Sequence, residues 1–249
     1  MSAPIFDLHG RVALVTGAGQ NVGSGIAQAL ASRGALVLVN DVVAERAVAV
    51  VQAVMKDGGH AQALPFDVTD LSAVRDAVGS VERVDILVNN AGNGGTAPMA
   101  LQRFIDMDPA DWEGPIRVNL YGVMNCCHAV VPGMCERGWG RVITISSGAA
   151  TAGVNIGVAP YSAGKGGGIA FTRSLALEIA KSGVTANTLA IGLMDLPDPQ
   201  ATARLARTIP IGRTGVPEDI AAACLWLASE EGAWVTGQTV QVNGGSITT

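Results

Sequence analysis

Charge is scarce in this 249-residue chain: charged residues make up 15% of it, and the formal net charge is −5. With no Lys/Arg cluster, that balance excludes the basic footprint of a nucleic-acid-binding surface. Histidine is scarcer still. His9, His60 and His128 have no partners at ligand spacing, so no metal site is expected and all three read as surface or packing residues. Cysteine is limited to four residues, three of them within 126–135, at spacings that suit neither a metal site nor a disulfide framework. Cys126 and Cys127 fall within a helical pattern, where a free thiol packs as a small apolar group. A long uninterrupted apolar run is also missing. Residues 142–164 carry no formal charge, yet Gly, Ser, Thr, Asn and one Pro break them up, which excludes a membrane span. Asp7, His9 and Arg11 argue against a signal peptide. The expected setting is cytoplasmic and reducing.

What is abundant is apolar sequence. Hydrophobic residues make up 49% of the chain and the mean hydropathy is +0.35, ample for a sizeable core. Short apolar runs (VALVT, LVLVN, ALPF, DILVNN, RVITIS, TANTLA, TVQV) alternate with helical patterns near 23–33, 44–57, 70–80, 110–136, 161–182 and 216–229. Alternation of this kind predicts an α/β fold, a doubly wound, seven-stranded, mainly parallel sheet with helices on both faces. Continuous rather than alternating apolar runs suit strands buried on both sides. There is no repeat, linker or composition break, so residues 1–249 read as one domain.

Residues 12–16 are followed by the glycine-rich run from Gly17 to Gly25 and then by the apolar helical residues Ile26, Ala27, Leu30 and Ala31. Strand, glycine turn and helix start form the geometry that cradles a dinucleotide pyrophosphate. A second strand, Leu36 to Asn40, ends in Asp41, 24 positions after Gly17. That is where a ribose-binding carboxylate is expected. Such a carboxylate repels a 2′-phosphate, and no Arg or Lys lies between Arg11 and Arg33 to attract one. The reading is NAD(H) in preference to NADP(H).

Tyr161 and Lys165 stand four residues apart, so on a helix they share a face. A phenol with a reference pKa of about 10 is a poor acid or base at neutral pH, and a neighbouring ammonium is expected to lower it. Ser146 and Ser147 precede this pair at the end of an apolar run. A hydroxyl there suits a hydrogen bond to the oxygen of a carbonyl or alcohol, and the set suits proton transfer at a C–O group.

With these motifs in place, the chain from Gly10 to Gly245 resembles the short-chain dehydrogenase/reductases, in their short single-domain branch. Thr16-Gly17…Gly23 looks like the family's cofactor loop, Asp67-Val68 like its adenine-contacting pair, and Asn89-Asn90-Ala91-Gly92 like the run after its fourth strand. Asn119 in RVNLYGV, with Ser147, Tyr161 and Lys165, resembles the catalytic tetrad. PEDIA at 217–221 and TGQTVQVNGG at 236–245 match the closing helix and strand. The resemblance implies a Rossmann-like fold and hydride transfer between a nicotinamide and a substrate carbon, with Tyr161 as acid/base. Ser147 would polarise the carbonyl, Lys165 would bond the nicotinamide ribose and Asn119 would hold a water. Ser147 is preferred to Ser146, because the family uses the second of the pair. The cofactor set is Gly17, Gln20, Asn21, Val22, Gly23, Asp41, Asp67, Val68, Asn89, Ala91, Gly92, Tyr161, Lys165, Ile191 and Met194.

Several positions depart from the family pattern. Asn21 replaces a loop glycine, which Asn tolerates because it accepts positive φ. Ile191 and Leu196 replace a Pro and a Thr, and one extra residue separates Ser147 from Tyr161. Gly166, Gly167 and Gly168 are unfavourable inside a helix and suggest tight packing, extended by the resemblance to a subunit contact in a homo-oligomer, dimer or tetramer. Trp112 is expected to anchor a helix start against the sheet. A short lid over about 193–209 carries Leu193, Met194, Leu196, Leu205 and Ile209. It implies a small, largely neutral alcohol or ketone substrate, with Arg204 and Arg207 as solvated lid charges. Two alternatives are a 3-oxoacyl thioester reductase using NADPH and a non-catalytic nucleotide sensor.

Overall fold

The computed structural model describes residues 5–92, 99 and 101–248. Among them, seven strands form one all-parallel sheet in the order β3-β2-β1-β4-β5-β6-β7. The first half runs β1 (Val12–Val15), α1 (Asn21–Ser32), β2 (Leu36–Val39), α2 (Ala44–Lys56), β3 (His60–Ala63), α3 (Leu71–Gly79) and β4 (Ile86–Asn89). The second half runs α4 (Ala110–Ile116), α5 (Gly122–Arg137), β5 (Gly140–Ser147), α6 (Gly148–Thr151), α7 (Ala159–Ile179), β6 (Val184–Ile191), α8 (Pro199–Ala206), α9 (Pro217–Ala228) and β7 (Thr239–Val242). The chain reverses its direction across the sheet between β1 and β4, the switch point at which doubly wound folds bind ligands.

Each inner strand feeds two cores. Ile86 and Val88 of β4 pack with Ile26 and Leu30 of α1 and Ile220 of α9. Leu87, between them, packs on the opposite face with Val123 and Met134 of α5 and Ile179 of α7. That is why the run is apolar throughout rather than every second residue.

Two elements differ from the sequence reading. The third strand is His60–Ala63 rather than the more apolar ALPF. It is a polar edge strand, and Pro65 has no N–H to continue the ladder. The helical pattern at 110–136 is interrupted by a π-turn, Arg117–Tyr121. There the Asn119 side chain donates from Nδ2 to the Pro115 carbonyl at 2.7 Å, the acceptor an α-helix would give to the backbone N–H of residue 119. Occupying that acceptor favours the wider i→i+5 ladder.

The glycine-rich stretch of α7 is explained within one chain. A methyl group at Gly164 would lie 2.9 Å from the Pro115 carbonyl oxygen, at Gly167 3.1 Å from Leu120, and at Gly168 3.3 Å from the Asn119 carbonyl oxygen. α7 therefore lies directly against α4 and the π-turn. Gly166 differs, because nothing lies closer than the Ala150 carbonyl oxygen at 3.9 Å. Trp112 stacks on Phe104, with ring centroids 5.0 Å apart, instead of anchoring on the sheet, because the segment at 104–106 folds back beside it.

The two kinds of glycine should respond oppositely to a methyl group. Gly164→Ala is expected to lower unfolding stability by about 1–3 kcal/mol through overpacking. Gly166→Ala is expected to raise it by about 0.5–1 kcal/mol through helix propensity. Chemical denaturation midpoints of both variants check the pair.

Candidate active site

One cavity of about 750 Å³ lies beyond the carboxyl ends of β1, β2, β4, β5 and β6. At its first end, the turn after β1 is tied to the segment after β4. Thr16 Oγ1 accepts from the backbone N–H groups of Asn90 (3.0 Å) and Ala91 (3.1 Å). Asn90 Nδ2 donates to the carbonyls of Thr16 and Gly17, both at 2.9 Å. Glycine is obligatory in this turn: a methyl at Gly17 would lie 2.8 Å from Ala91 Cα, and one at Gly23 2.4 Å from the Gly17 carbonyl oxygen. Asn21 has φ +48°, the left-handed backbone that Asn tolerates. Gln20, Asn21, Val22 and Gly23 line the cavity. Gln20 gives α1 no side-chain cap, and no acidic residue stands in its first turn. An uncapped helix start opening on a cavity suits an anionic pyrophosphate.

Asp41 is nearly buried at 5% exposure. Its Oδ2 accepts from Gly19 N (3.2 Å) and its Oδ1 from Val43 N (2.9 Å). Asp67 and Val68 border the same cavity, and Asp67 accepts from the backbone and hydroxyl of Thr69. Of the expected cofactor residues, Gly17, Ala91, Gly92, Tyr161, Lys165, Ile191 and Met194 also face it. Asn89 does not. It is the last residue of β4, and its Nδ2 donates to Cys127 Sγ at 3.4 Å, whereas Asn90 is the one that borders the cavity. Strand parity is the reason, since successive side chains point to opposite faces.

At the other end, Ser147, Tyr161 and Lys165 converge. Ser146 is buried and its hydroxyl donates to the Lys165 carbonyl at 3.2 Å. Ser147 instead caps α6, accepting from Ala149 N at 3.2 Å, and hydrogen-bonds the Tyr161 hydroxyl. Burial pushes the Tyr161 phenol up, and the hydrogen bond with Ser147 opposes the rise. This differs from the expected lowering by the lysine. Lys165 Nζ donates to the Ile145 carbonyl at 2.7 Å, and burial pushes its pKa down to about 8. A methyl at Gly92 would lie 2.8 Å from Lys165 Nζ and 2.9 Å from Asn119 Oδ1. Gly92, Lys165 and the buried Asn119 therefore form one polar floor.

Several contributors are not evident from the sequence. Asn40 Oδ1 accepts from Gly17 N at 3.3 Å while its Nδ2 holds the carbonyls of Leu64 and Phe66. Ile247 lies against Gly148, where a methyl would meet its Cδ1 at 2.7 Å, so the end of the chain buttresses the Ser147 turn. Met99 joins Leu193, Leu196 and Leu205, already expected from the sequence as lid residues, in giving the cavity an apolar wall. No helix among the described residues is long and apolar enough to cross a membrane.

A family model described as enoyl-(acyl carrier protein) reductase matches residues 17–246. The chain is 41% identical to a 3-oxoacyl-(acyl-carrier-protein) reductase of Vibrio cholerae, over 96% of its own length and 98% of the relative's. It is similar to the crystal structure of a 3-oxoacyl-(acyl-carrier protein) reductase from Brucella melitensis with bound NAD. The TM-score is 0.91 at 32% identity, covering 98% of this chain and 94% of that one. A gluconate 5-dehydrogenase from Burkholderia cenocepacia, in complex with NADP and tartrate, gives a TM-score of 0.88 at 34% identity, covering 97% and 96%. Joined to the glycine turn and the switch-point cavity, these full-length likenesses identify an oxidoreductase that uses a nicotinamide cofactor, and the chain belongs to the short-chain dehydrogenase/reductase family.

Proposed function

We propose that the protein is an NAD(H)-dependent alcohol dehydrogenase or carbonyl reductase acting on a small, largely neutral alcohol or ketone. The observation that carries this reading is one cavity with the Ser147–Tyr161 hydrogen bond and buried Lys165 at one end and Asp41 with the uncapped α1 start at the other. The residues from Gly17 to Gly23 would hold the pyrophosphate, Asp41 the adenosine ribose, and Lys165 the nicotinamide ribose. When bound, the cofactor supplies or takes the hydride.

The chain's own groups then handle the proton. Tyr161, its pKa raised by burial, holds its proton at neutral pH and can give it to a carbonyl oxygen during reduction; in oxidation it takes the proton back. Ser147 orients that same oxygen. The Lys165 ammonium, beside Gly92 and Asn119, supplies positive charge to the floor below. General acid–base help of this kind contributes on the order of 10²–10⁴-fold. The apolar wall at Met99, Leu193, Leu196 and Leu205 supports an apolar substrate body, with the segment over about 193–209 as its lid. The family further supports a cytoplasmic homo-oligomer, dimer or tetramer. All four tetrad positions are filled, which speaks against a silent nucleotide sensor.

A second reading, 3-oxoacyl thioester reduction with NADPH, is favoured by the likeness to the Vibrio cholerae reductase. A panel of ketones, alcohols and a 3-oxoacyl thioester, followed by NADH and NADPH absorbance, separates the two. Faster turnover on the thioester with NADPH would overturn the first reading. Tyr161→Phe is expected to lose at least about 10²-fold in kcat while still binding NADH by fluorescence titration. Near-normal turnover in that variant would sink the mechanism.

Lys165 has a stability signature of its own. Its pKa is about 8 in the folded chain, against about 10.4 unfolded. Between these values the unfolded state binds more protons, so folding stability rises with pH across that window. Below pH ~8 the buried ammonium is a net cost. Lys165→Met should therefore gain stability relative to wild type at pH 7, and the gain should shrink by about 2 kcal/mol by pH 10. Denaturant unfolding at both pH values checks this.

A further inference from the structure

Two segments that leave the cavity carry exposed large apolar side chains: Leu101, Phe104 and Ile105 on one, Val154 and Ile156 on the other. Ile105 is 79% exposed and Ile156 59%. Such residues are ordinary when scattered singly, whereas a contiguous group marks a surface that meets something apolar. These segments are fastened together. Gln102 N donates to the Gly157 carbonyl at 3.1 Å. Gly157 has φ +73°, and a methyl built on it would lie 2.5 Å from Gln102 N, so the two backbones touch. Leu101 and Ile156 each adjoin one member of that bonded pair. Both segments begin at the cavity. Met99, two positions before Leu101, lines it, and the loop that holds Val154 and Ile156 joins Ser147 to Tyr161, which line it as well. No charged residue occurs from Ala91 to Gln102 or from Val142 to Gly164. The charges that come next on the first segment, Arg103 and Asp106, neutralise each other as an ion pair at 2.6 Å.

We propose that Leu101, Ile105, Val154 and Ile156 are specificity-determining residues that form an outer subsite for an alkyl arm of the substrate. The protein then discriminates among neutral ketones and alcohols by the length of that arm. The inference rests on the hydride-transfer reading of the cavity and deepens it by naming the part of the substrate that is recognised. Ser147 and Tyr161 fix the carbonyl oxygen. An arm on the reacting carbon that runs out between the two fastened segments exchanges water for apolar contact and meets no unpaired charge. A fully buried methylene is worth about fourfold in affinity, and one covered on a single side about twofold. The one extra residue between Ser147 and Tyr161 lengthens the same connection that bears Val154 and Ile156. Because that connection ends in the two residues that hold the reacting oxygen, its exposed apolar side chains belong with the substrate rather than with a remote face.

The test is steady-state reduction of a methyl-ketone series, from 2-butanone to 2-octanone, by the full chain with NADH and with NADPH. Wild type is compared with the double variant Ile105→Ser, Ile156→Ser and with Ile105→Leu. In wild type, kcat/KM is expected to rise by about two- to fourfold with each added methylene. The double variant should lower the ratio of kcat/KM for 2-octanone to that for 2-butanone at least about tenfold, through KM more than kcat. Ile105→Leu should keep the rise. Both side chains are exposed, so the variants are expected to melt at the wild-type temperature. An unchanged ratio in the double variant would overturn the proposal, as would a wild type that is equally active on all the ketones or prefers the shortest. A lowered ratio accompanied by a smaller species on size-exclusion chromatography would assign the patch to a second copy of the chain, and would overturn it too. Wild type that turns over no ketone or alcohol in either direction would instead overturn the hydride-transfer reading, and this inference with it.

Discussion

The site depends on a short set of hydrogen bonds that fastens two chain segments across the switch point of the sheet. Thr16 Oγ1 receives the backbone N–H groups of Asn90 and Ala91, and Asn90 returns two bonds to the carbonyls of Thr16 and Gly17. Asn40 adds a third segment by accepting from Gly17 N. Backbone polar groups at the ends of buried parallel strands lack ladder partners, and a neutral, fully bonded side-chain network satisfies them without introducing a buried charge. Held this way, the glycine turn stays open and the start of α1 faces the cavity.

The second half of the site depends on close approach between backbones. α7 carries Tyr161 and Lys165, and it reaches the π-turn only because Gly164, Gly167 and Gly168 have no side chains. The π-turn exists because Asn119 takes the Pro115 carbonyl. The same side chain thus shapes the helix and reaches the floor beside Lys165 and Gly92. Burial that lowers Lys165 to about 8 and raises Tyr161 follows from this packing. A lysine kept from water is destabilised as an ammonium, and a phenol kept from water is destabilised as a phenolate. The two shifts leave Tyr161 protonated and Lys165 close to its titration at neutral pH.

Much of the architecture is legible in the order of residues. Continuous apolar runs mark strands buried on both faces, and the run from Gly17 to Gly25 after VALVT marks the phosphate turn. Legibility fails where local signals are weak or compete. The third strand, HAQA, is a polar edge strand beside the more apolar ALPF, so hydrophobicity points to the wrong segment. The π-turn has no periodicity of its own, and Trp112 is held by a non-local stack on Phe104.

Composition and spacing along the chain establish which chemical groups are available and in what order: the glycine turn, Asp41, the Asn-Asn-Ala-Gly run, Asn119, the serine pair, and a tyrosine four residues before a lysine. Local backbone geometry is enough to convert these spacings into shared faces. Folding selects which serine of the pair bonds Tyr161, Ser147 rather than Ser146, and which asparagine meets the cavity, Asn90 rather than Asn89. It also turns Lys165 toward the Ile145 carbonyl and closes Ile247 behind Gly148. Such choices depend on strand parity, burial and contacts between residues distant in sequence, and those exist only once the sheet and its two helical layers have assembled.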